Sequence, residues 1–246
     1  MRYLRLRRGR ERRGLALAEG VRLVEEALAA RVAIRHVVAS PALEATPRGE
    51  ALKAALVEAG HRVDAVSERV FDDLAATDHP QGVLAVVEPP RWTLGDVRAG
   101  PHAPVLVLDG VQDPGNVGTM VRTAFGLGAA GVVALPGTAE LTNPKTLRAT
   151  MGAGFRLPFV PATEGELRAW AAERTVRVLI AAADGPRLDR SERVPLAVVV
   201  GNESAGVRAA LAAWAHGRIG IPLRQGAESL NVAVAAGILL HEVTRE

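Results

Sequence analysis

Five polar residues in the second half of the chain have types and positions that could do chemistry. They are Asn116, Arg122, Glu203, Ser229 and Asn231. The set holds one carboxylate, no serine–histidine pair and no group of metal ligands. It therefore argues against hydrolysis by a triad, by paired carboxylates or by zinc. A cation, an anion and neutral hydrogen-bonding groups remain, and these suit the positioning of a substrate.

The elements around these residues indicate a sheet edge. The apolar, β-branched run Leu196–Val200 ends abruptly at Gly201-Asn202-Glu203, and a second buried strand is predicted at Gly217–Leu223. Ligands of open α/β sheets bind beyond the carboxyl ends of the strands. Ser229 is predicted as the N-cap of a buried helix, Leu230–Glu242, because nearly all of that segment is apolar.

An earlier strand, Val105–Leu108, leads through a polar turn into a helix predicted over Asn116–Phe125. The spacing places Asn116 at the mouth of this helix and Arg122 on its flank. The following stretch, Gly126–Gly131, matches GxGxxG, but it ends a helix and precedes a strand. A dinucleotide fingerprint has the reverse order, so a nicotinamide-dependent oxidoreductase is disfavoured.

Three motifs in this order resemble those of the SpoU (TrmH-like) class of SPOUT RNA methyltransferases. They are DPGNVGTMVRTA at 113–124, GNESAGV at 201–207 and IPLRQGAESLNVAVAAG at 221–237. The resemblance covers roughly 104–246. It implies a mainly parallel α/β sheet covered by helices, a C-terminal trefoil knot, a homodimer, and methylation of a ribose 2′-hydroxyl in RNA by S-adenosylmethionine.

The resemblance also implies roles for the five polar residues. By resemblance, Arg122 would abstract the hydroxyl proton. Because a guanidinium is essentially never neutral in proteins, two roles stay open: a perturbed base assisted by the RNA phosphate, or a bidentate phosphate clamp that stabilises the developing alkoxide. Asn116, Ser229 and Asn231 would orient the ribose. Glu203 would hold Arg122 or the loop around it.

The cofactor is expected across the carboxyl ends of the last strands, with its adenine held by backbone groups. By resemblance these groups lie at Gly201, Ile221, Leu230 and Ala181. Backbone recognition is compatible with the glycine and aliphatic residues found there.

The N-terminal part is predicted as a small α/β RNA-binding domain over 1–88, beginning with a helix at Ala16–Arg31. A Pro-rich linker over 89–103 separates it from the methyltransferase domain at 104–246. In the resemblance this part is similar to the substrate-binding domain of SpoU enzymes. Trp92, in the linker, is expected to pack on a domain or to stack on a base.

Charge is concentrated at the start of the chain. Residues 1–14 hold seven arginines and one glutamate. The whole chain has 30 basic and 27 acidic residues, so the rest of it has 23 basic and 26 acidic residues. Clustered guanidiniums repel one another unless an anion is present, which favours RNA phosphate as the partner over a solvated tail. The candidate RNA contacts are Arg5, Arg7, Arg8, Arg10, Arg12 and Arg13.

Composition limits the other possibilities. The chain has no cysteine, and its six histidines are scattered, so no metal site is expected. No signal peptide or membrane span is indicated, and a cytoplasmic location is expected. In the resemblance, the separate N-terminal domain favours large-subunit ribosomal RNA over tRNA as the substrate, since the tRNA enzymes of the class usually lack such a domain. A tRNA ribose methyltransferase and a non-catalytic RNA-binding protein of the same fold remain as alternatives.

Overall fold

The computed structural model describes residues 1–187, 194–224 and 229–245, and the chain divides into two compact units. The first unit comprises Met1–Arg91 and Glu140–Arg156. The second comprises Trp92–Ala139 and Leu157–Glu246. Residues 225–228 of the third motif lie outside the described residues.

The strands and helices follow in chain order. The strands are β1 (Ala16–Glu19), β2 (Ala33–Ala39), β3 (Val63–Ala65), β4 (Val83–Glu88), β5 (Val105–Asp109), β6 (Gly131–Ala134), β7 (Phe159–Pro161), β8 (Arg177–Ala181), β9 (Leu196–Gly201) and β10 (Gly217–Ile219). The helices are α1 (Arg7–Arg13), α2 (Val21–Ala29), α3 (Pro47–Glu58), α4 (Glu68–Leu74), α5 (Pro114–Gly126), α6 (Pro144–Ala149), α7 (Glu164–Glu173), α8 (Ala209–Trp214) and α9 (Val232–Thr244).

The second unit is built on a parallel sheet with the strand order β10-β8-β9-β5-β6-β7. Its central strands are apolar apart from residues at their ends, as expected for a sheet covered by helices on both faces. Side chains such as Val107, Val199 and Trp170 form the core, and Trp92 packs against it. The mainly parallel α/β fold predicted from the sequence is confirmed.

Parallel strands bring their carboxyl ends to the same edge of the sheet. β5 and β9 are neighbours, and Asp109 lies opposite Gly201 in their register. The polar turns that follow these two strands therefore meet at one edge. The GxGxxG look-alike does end a helix, since α5 stops at Gly126 and β6 starts at Gly131.

The start of α9 differs from the prediction. Asn231, and not Ser229, is the N-cap: its Oδ1 accepts hydrogen bonds from the backbone nitrogens of Ala233 at 2.9 Å and Val234 at 3.3 Å. The predicted Ser229 cap is therefore wrong. The cap belongs to the residue whose side chain can reach the unpaired N–H groups of the first turn, and Ser229 lies two positions too early.

In the first unit, the sheet order is β1-β4-β2-β3, with β4 antiparallel to both of its neighbours. The single helix predicted over Ala16–Arg31 is wrong, because Ala16–Glu19 forms β1 and only Val21–Ala29 is helical. Gly20 separates them with a φ of 98°, which a helix does not tolerate. All four residues of β1 are buried, and they pair with β4, so tertiary pairing overrides the helical periodicity.

The segment Glu140–Arg156 belongs to the first unit although it follows β6 in the chain. Its helix α6 packs on β1. Gly152 lies against Glu26, where an added Cβ would come within 2.4 Å of the Glu26 Cβ. The Arg156 guanidinium donates to the same glutamate at 3.1 Å. The first unit is thus completed by residues from the second half of the chain.

Candidate active site

A series of side-chain hydrogen bonds joins one residue from each of the three motifs. Nδ2 of Asn116 donates to Oε1 of Glu203 at 3.0 Å, and Nδ2 of Asn231 donates to Oδ1 of Asn116 at 3.2 Å. Glu203 and Asn231 are exposed and Asn116 is half-buried, so a substrate can reach all three.

Local capping fixes the two asparagines. Asp113 is the N-cap of α5, and its side chain accepts from the backbone nitrogen of Asn116 at 2.8 Å. Pro114 occupies the first position of this helix, where a backbone N–H would have no partner within the helix. Asn231 is held by its own cap hydrogen bonds on α9. Both amides are therefore positioned by helix starts that meet at the sheet edge.

Beside these amides lies a cleft of about 660 Å³. The four residues predicted to hold the cofactor all line it: Ala181, Gly201, Ile221 and Leu230. Glu203, Ser229 and Asn231 line it as well, and Glu203 is the charged residue among its described lining. Most of the wall is backbone or aliphatic, which suits an aromatic ring system recognised by main-chain hydrogen bonds.

Two close backbone approaches shape this cleft. A Cβ on Gly201 would come within 2.1 Å of the Gly206 carbonyl carbon. The backbone nitrogen of Gly220 donates to the Pro186 oxygen at 2.8 Å, and a Cβ on Gly220 would come within 2.1 Å of the Gly185 oxygen. At these two places, chain segments in or next to the cleft wall pass each other with no room for a side chain.

Arg122 lies on the exposed flank of α5 and is not among the residues that line the cleft. Within the described ranges, no side chain or backbone group hydrogen bonds to its guanidinium or pairs with it. Glu203 was expected to hold Arg122 or the loop around it. Among the described residues it has no hydrogen bond or ion pair with Arg122, and it accepts a hydrogen bond from Asn116.

A second polar group at this edge, formed by Asp109, Asn202 and Arg208, was not predicted from the sequence. Asp109 is 1% exposed and accepts from the backbone nitrogen and Nε of Arg208 at 2.8 and 2.7 Å. The hydrogen bond from the Arg208 side chain to Asp109 raises the pKa of the Arg208 guanidinium above its ordinary value. The available signal in the sequence was a carboxylate directly after the predicted strand Val105–Leu108.

Two of the candidate RNA-binding arginines have structural roles in the first unit. Arg10 is 3% exposed, and its guanidinium donates to the carbonyls of Leu4 and Arg5 and pairs with Glu140. Arg5 donates to the carbonyl of Asp73 at 3.1 Å and to that of Ala75, at the end of α4. Because Arg10 is buried, we withdraw it from the RNA contacts.

The other four arginines are exposed. Arg7 forms an ion pair with Glu11 at 2.7 Å, and Arg13 stacks 4.0 Å above the centre of the Tyr3 ring. Arg8 and Arg12 are four positions apart and so share a face of α1. In the part of the chain that the structure describes, neither has a hydrogen-bond or ion-pair partner.

Two negative observations apply to the described residues. No group of three histidine, aspartate or glutamate side chains there could hold a metal ion. Across the three described ranges, every helix falls short of the length and apolar character that a membrane span needs.

Comparisons with known proteins agree with this geometry. Residues 103–241 match the SpoU rRNA Methylase family, and residues 1–85 match the MRM3-like substrate binding domain. The 23S rRNA (guanosine(2553)-2'-O)-methyltransferase RlmP of Bacillus subtilis (strain 168) is 36% identical over 98% of this chain and 92% of its own. The 23S rRNA (adenosine(1067)-2'-O)-methyltransferase of Streptomyces laurentii is 34% identical over 82% of this chain and 77% of its own.

A solved structure is similar over nearly the whole length. The AdoMet-bound rRNA methyltransferase from Sinorhizobium meliloti superposes with a TM-score of 0.85 at 32% identity, covering 98% of this chain and 91% of that one. The motifs, the sheet edge on which they meet and these matches lead to one conclusion: this chain belongs to the SpoU rRNA methylase family.

Proposed function

We propose that this protein methylates a ribose 2′-hydroxyl of large-subunit ribosomal RNA, with S-adenosylmethionine as the methyl donor. The observation that carries the proposal is the hydrogen-bonded series Glu203–Asn116–Asn231 beside a cleft with mostly backbone and aliphatic walls. The matched relatives are named as 23S rRNA 2'-O-methyltransferases, and a related structure contains AdoMet.

The residues of the cleft fit this donor. Aliphatic wall residues such as Ile221 and Leu230 suit the adenine, and the backbone at the end of β9 offers hydrogen-bonding groups. The carboxylate of Glu203 supplies negative charge for a cationic ligand. When bound, the donor supplies a sulfonium methyl group whose thioether leaves without protonation. No general acid is therefore required of the protein.

The chain's own residues then hold the acceptor. The amides of Asn116 and Asn231 and the hydroxyl of Ser229 are neutral groups that can orient a ribose. Glu203 keeps the Asn116 side chain in one orientation. Asn116 therefore has little rotational freedom left to lose when the transition state forms. A ribose hydroxyl held in line with the methyl group needs only to lose its proton.

We propose that Arg122 binds a negatively charged group of the substrate. Its guanidinium is exposed and has no partner within the described ranges, so it is available to an RNA phosphate. A guanidinium stays protonated in proteins and binds phosphate bidentately, which favours the clamp that stabilises a developing alkoxide over the role of general base. The two roles differ in pH dependence: removal of a base removes a limb of the kcat profile, whereas removal of a clamp lowers kcat at every pH.

The first unit supplies the remaining RNA contacts. Two exposed arginines of α1 without partners among the described residues, Arg8 and Arg12, are the leading candidates, and Arg7 and Arg13 lie on the same short helix. The match of residues 1–85 to a substrate binding domain supports this role for the first unit. We propose the boundaries 1–88, 89–103 and 104–246 for the RNA-binding part, the linker and the methyltransferase domain.

We further propose a homodimer formed through the outer face of α5 and α9. Phe125, Val234 and Ile238 are 45%, 53% and 37% exposed on these two packed helices. Val234 and Ile238 are one helical turn apart, so they form one apolar strip. Sedimentation should give a dimer, and a Val234→Glu/Ile238→Glu variant should give a monomer.

The C-terminal knot is also a proposal. After β10, on the far side of β8, the chain returns to pack α9 against α5 and β9. On the way, Gly220 crosses the Gly185-Pro186 segment in direct contact. This crossing is where we expect the chain to thread. An experimental structure that traces 182–224 would test this proposal, because it would show on which side of the Gly185-Pro186 segment Gly220 passes.

The base of the target nucleotide differs between relatives, being guanosine in one and adenosine in the other. The transferred methyl group goes to the ribose in both. For this chain we propose a guanosine, because RlmP matches almost its entire length. The cytoplasmic location stays a prediction.

The deciding experiment is methylation of 23S rRNA purified from a strain that lacks the gene, with mapping of ribose methylation against the parent strain. One guanosine should lose its 2′-O-methyl group in the deletion and regain it with purified enzyme. Calorimetry should show binding of S-adenosylmethionine and S-adenosylhomocysteine and none of NADH. Binding of neither sulfur ligand, with no change in the methylation map, would leave the non-catalytic RNA-binding alternative.

A further inference from the structure

We propose that Asp109 and Arg208 form a positioning pair that fixes the turn 201–207, so that its backbone binds the methyl donor and its Glu203 holds Asn116. This inference rests on the proposed function, since it concerns the same cleft. Neither residue lines the cleft or belongs to the hydrogen-bonded series, so each acts through the turn.

The pair joins the end of one strand to the end of the turn. Asp109 is the last residue of β5, and Arg208 is the N-cap residue of α8, directly after the turn. Three polar contacts connect them: Oδ2 of Asp109 accepts from the Arg208 backbone nitrogen at 2.8 Å, and Oδ1 accepts from Nε at 2.7 Å and lies 2.7 Å from Nη2. Two donors of the guanidinium fork, Nε and Nη2, thus converge on one carboxylate oxygen, and the single ammonium nitrogen of lysine cannot reproduce this contact.

The start of the turn is tied to the same strand end. Nδ2 of Asn202 donates to the carbonyl of Gly110 at 3.0 Å, and its Oδ1 accepts from the backbone nitrogens of Ser204 and Ala205 at 2.9 and 3.0 Å. Glu203 therefore lies in a short turn that is fastened at both ends. Gly201 packs against Gly206 without room for a Cβ, so displacement of the 206–208 end would move the cleft wall.

Burial of the carboxylate indicates a role in geometry more than in stability. Asp109 is 1% exposed, and among the described residues of its unit it is the charged side chain that is buried. A buried ion pair adds little folding stability compared with apolar residues of the same size, because the cost of dehydrating the carboxylate offsets the attraction between the charges. What the pair adds is one fixed arrangement of the turn.

The test is Arg208→Lys, which keeps the charge and removes the fork. We expect the Kd for S-adenosylmethionine to rise and kcat to fall by about 10- to 100-fold, the loss that follows when a reacting group is displaced by about 1 Å. We expect the KM for RNA to stay unchanged, because the Arg208 guanidinium is already paired with Asp109. The matched control is Arg48→Lys: Arg48 forms an exposed two-point pair with Glu25 in the first unit and should leave Kd and kcat unchanged.

A double-mutant cycle separates positioning from general destabilisation. If Arg208 acts through Glu203, the kcat losses of Arg208→Lys and Glu203→Ala will not add. Asp109→Asn provides a second variant, because asparagine can still accept from the Arg208 backbone nitrogen while the ion pair is removed. Additive losses, or a folded Arg208→Lys enzyme with the Kd and kcat of the parent, would overturn the inference. An inactive parent enzyme that binds no S-adenosylmethionine would instead overturn the proposed function.

Discussion

The amide nitrogen of Asn116 lies 3.0 Å from Oε1 of Glu203, although the two residues are 87 positions apart in the chain. One lies in the first turn of α5 and the other in the turn after β9. The parallel pairing of β5 with β9 brings these places together. A neutral donor and a carboxylate in this arrangement position a substrate and do not cleave it, which agrees with methyl transfer.

The role of Glu203 can be tested with two substitutions. Glu203→Gln keeps an oxygen that can accept from Asn116, whereas Glu203→Ala leaves the amide without its partner. If holding Asn116 is the main function, alanine will lower kcat about 100-fold and glutamine much less. Single-turnover methylation of 23S rRNA measures both. Equal losses would show that the negative charge, and not the hydrogen bond, is what the reaction needs.

Arg122→Ala should leave the Kd for S-adenosylmethionine unchanged, because Arg122 does not line the cleft. The methylation rate should fall by on the order of 10²–10⁴. Arg122→Lys should recover part of this loss if the side chain acts as a cation. Calorimetry and methyl-transfer kinetics check the two expectations separately, and unchanged turnover in Arg122→Ala would remove the residue from the mechanism.

Gly220→Ala should destabilise the second unit, because the added Cβ would meet the Gly185 oxygen at 2.1 Å and the two backbones cannot separate without breaking the Gly220–Pro186 hydrogen bond. We expect a loss of about 1–3 kcal/mol or more in the free energy of unfolding. Gly126→Ala is the matched control: nothing lies within 4 Å of its added Cβ, so stability should stay the same or rise slightly. Denaturant unfolding measures both, and equal stability of the two variants would contradict the crossing.

The arginines of α1 should divide into two classes. Arg8→Gln/Arg12→Gln should weaken RNA binding, and the salt slope should become shallower by roughly 0.7 for each phosphate of single-stranded RNA that these side chains neutralise in the parent. The thermal midpoint should not change, because both side chains are exposed. Fluorescence anisotropy at several salt concentrations measures the slope, and an unchanged slope would exclude Arg8 and Arg12 as phosphate-binding residues.

Arg10→Gln should show the opposite behaviour. Its guanidinium is buried and pairs with Glu140, so we expect a loss of about 2 kcal/mol in stability, the scale of a hydrogen bond to a charged group. The salt slope of RNA binding should be that of the parent. A smaller slope in this variant, with normal stability, would return Arg10 to the RNA contacts.

Much of this protein was predictable from local patterns. The buried strands and the polar turns at their carboxyl ends follow from residue types and spacing, since the interior of a buried parallel strand is apolar and its end becomes polar where it meets water. The three motifs were identified by their resemblance to a family. Family resemblance in these motifs identified Ala181, Gly201, Ile221 and Leu230 as candidate cofactor residues, and all four line the cleft.

Other features depended on contacts between distant residues, which no local pattern contains. The pairing of β1 with β4 turned a helical sequence at Ala16–Glu19 into a strand, and the reach of one side chain made Asn231 the cap of α9 in place of Ser229. Burial against Glu140 changed Arg10 from a surface cation into a structural residue. Which arginine meets solvent, and which carboxylate meets which amide, is decided by packing, because the free energy of a charged group depends on what surrounds it and not on its neighbours in sequence.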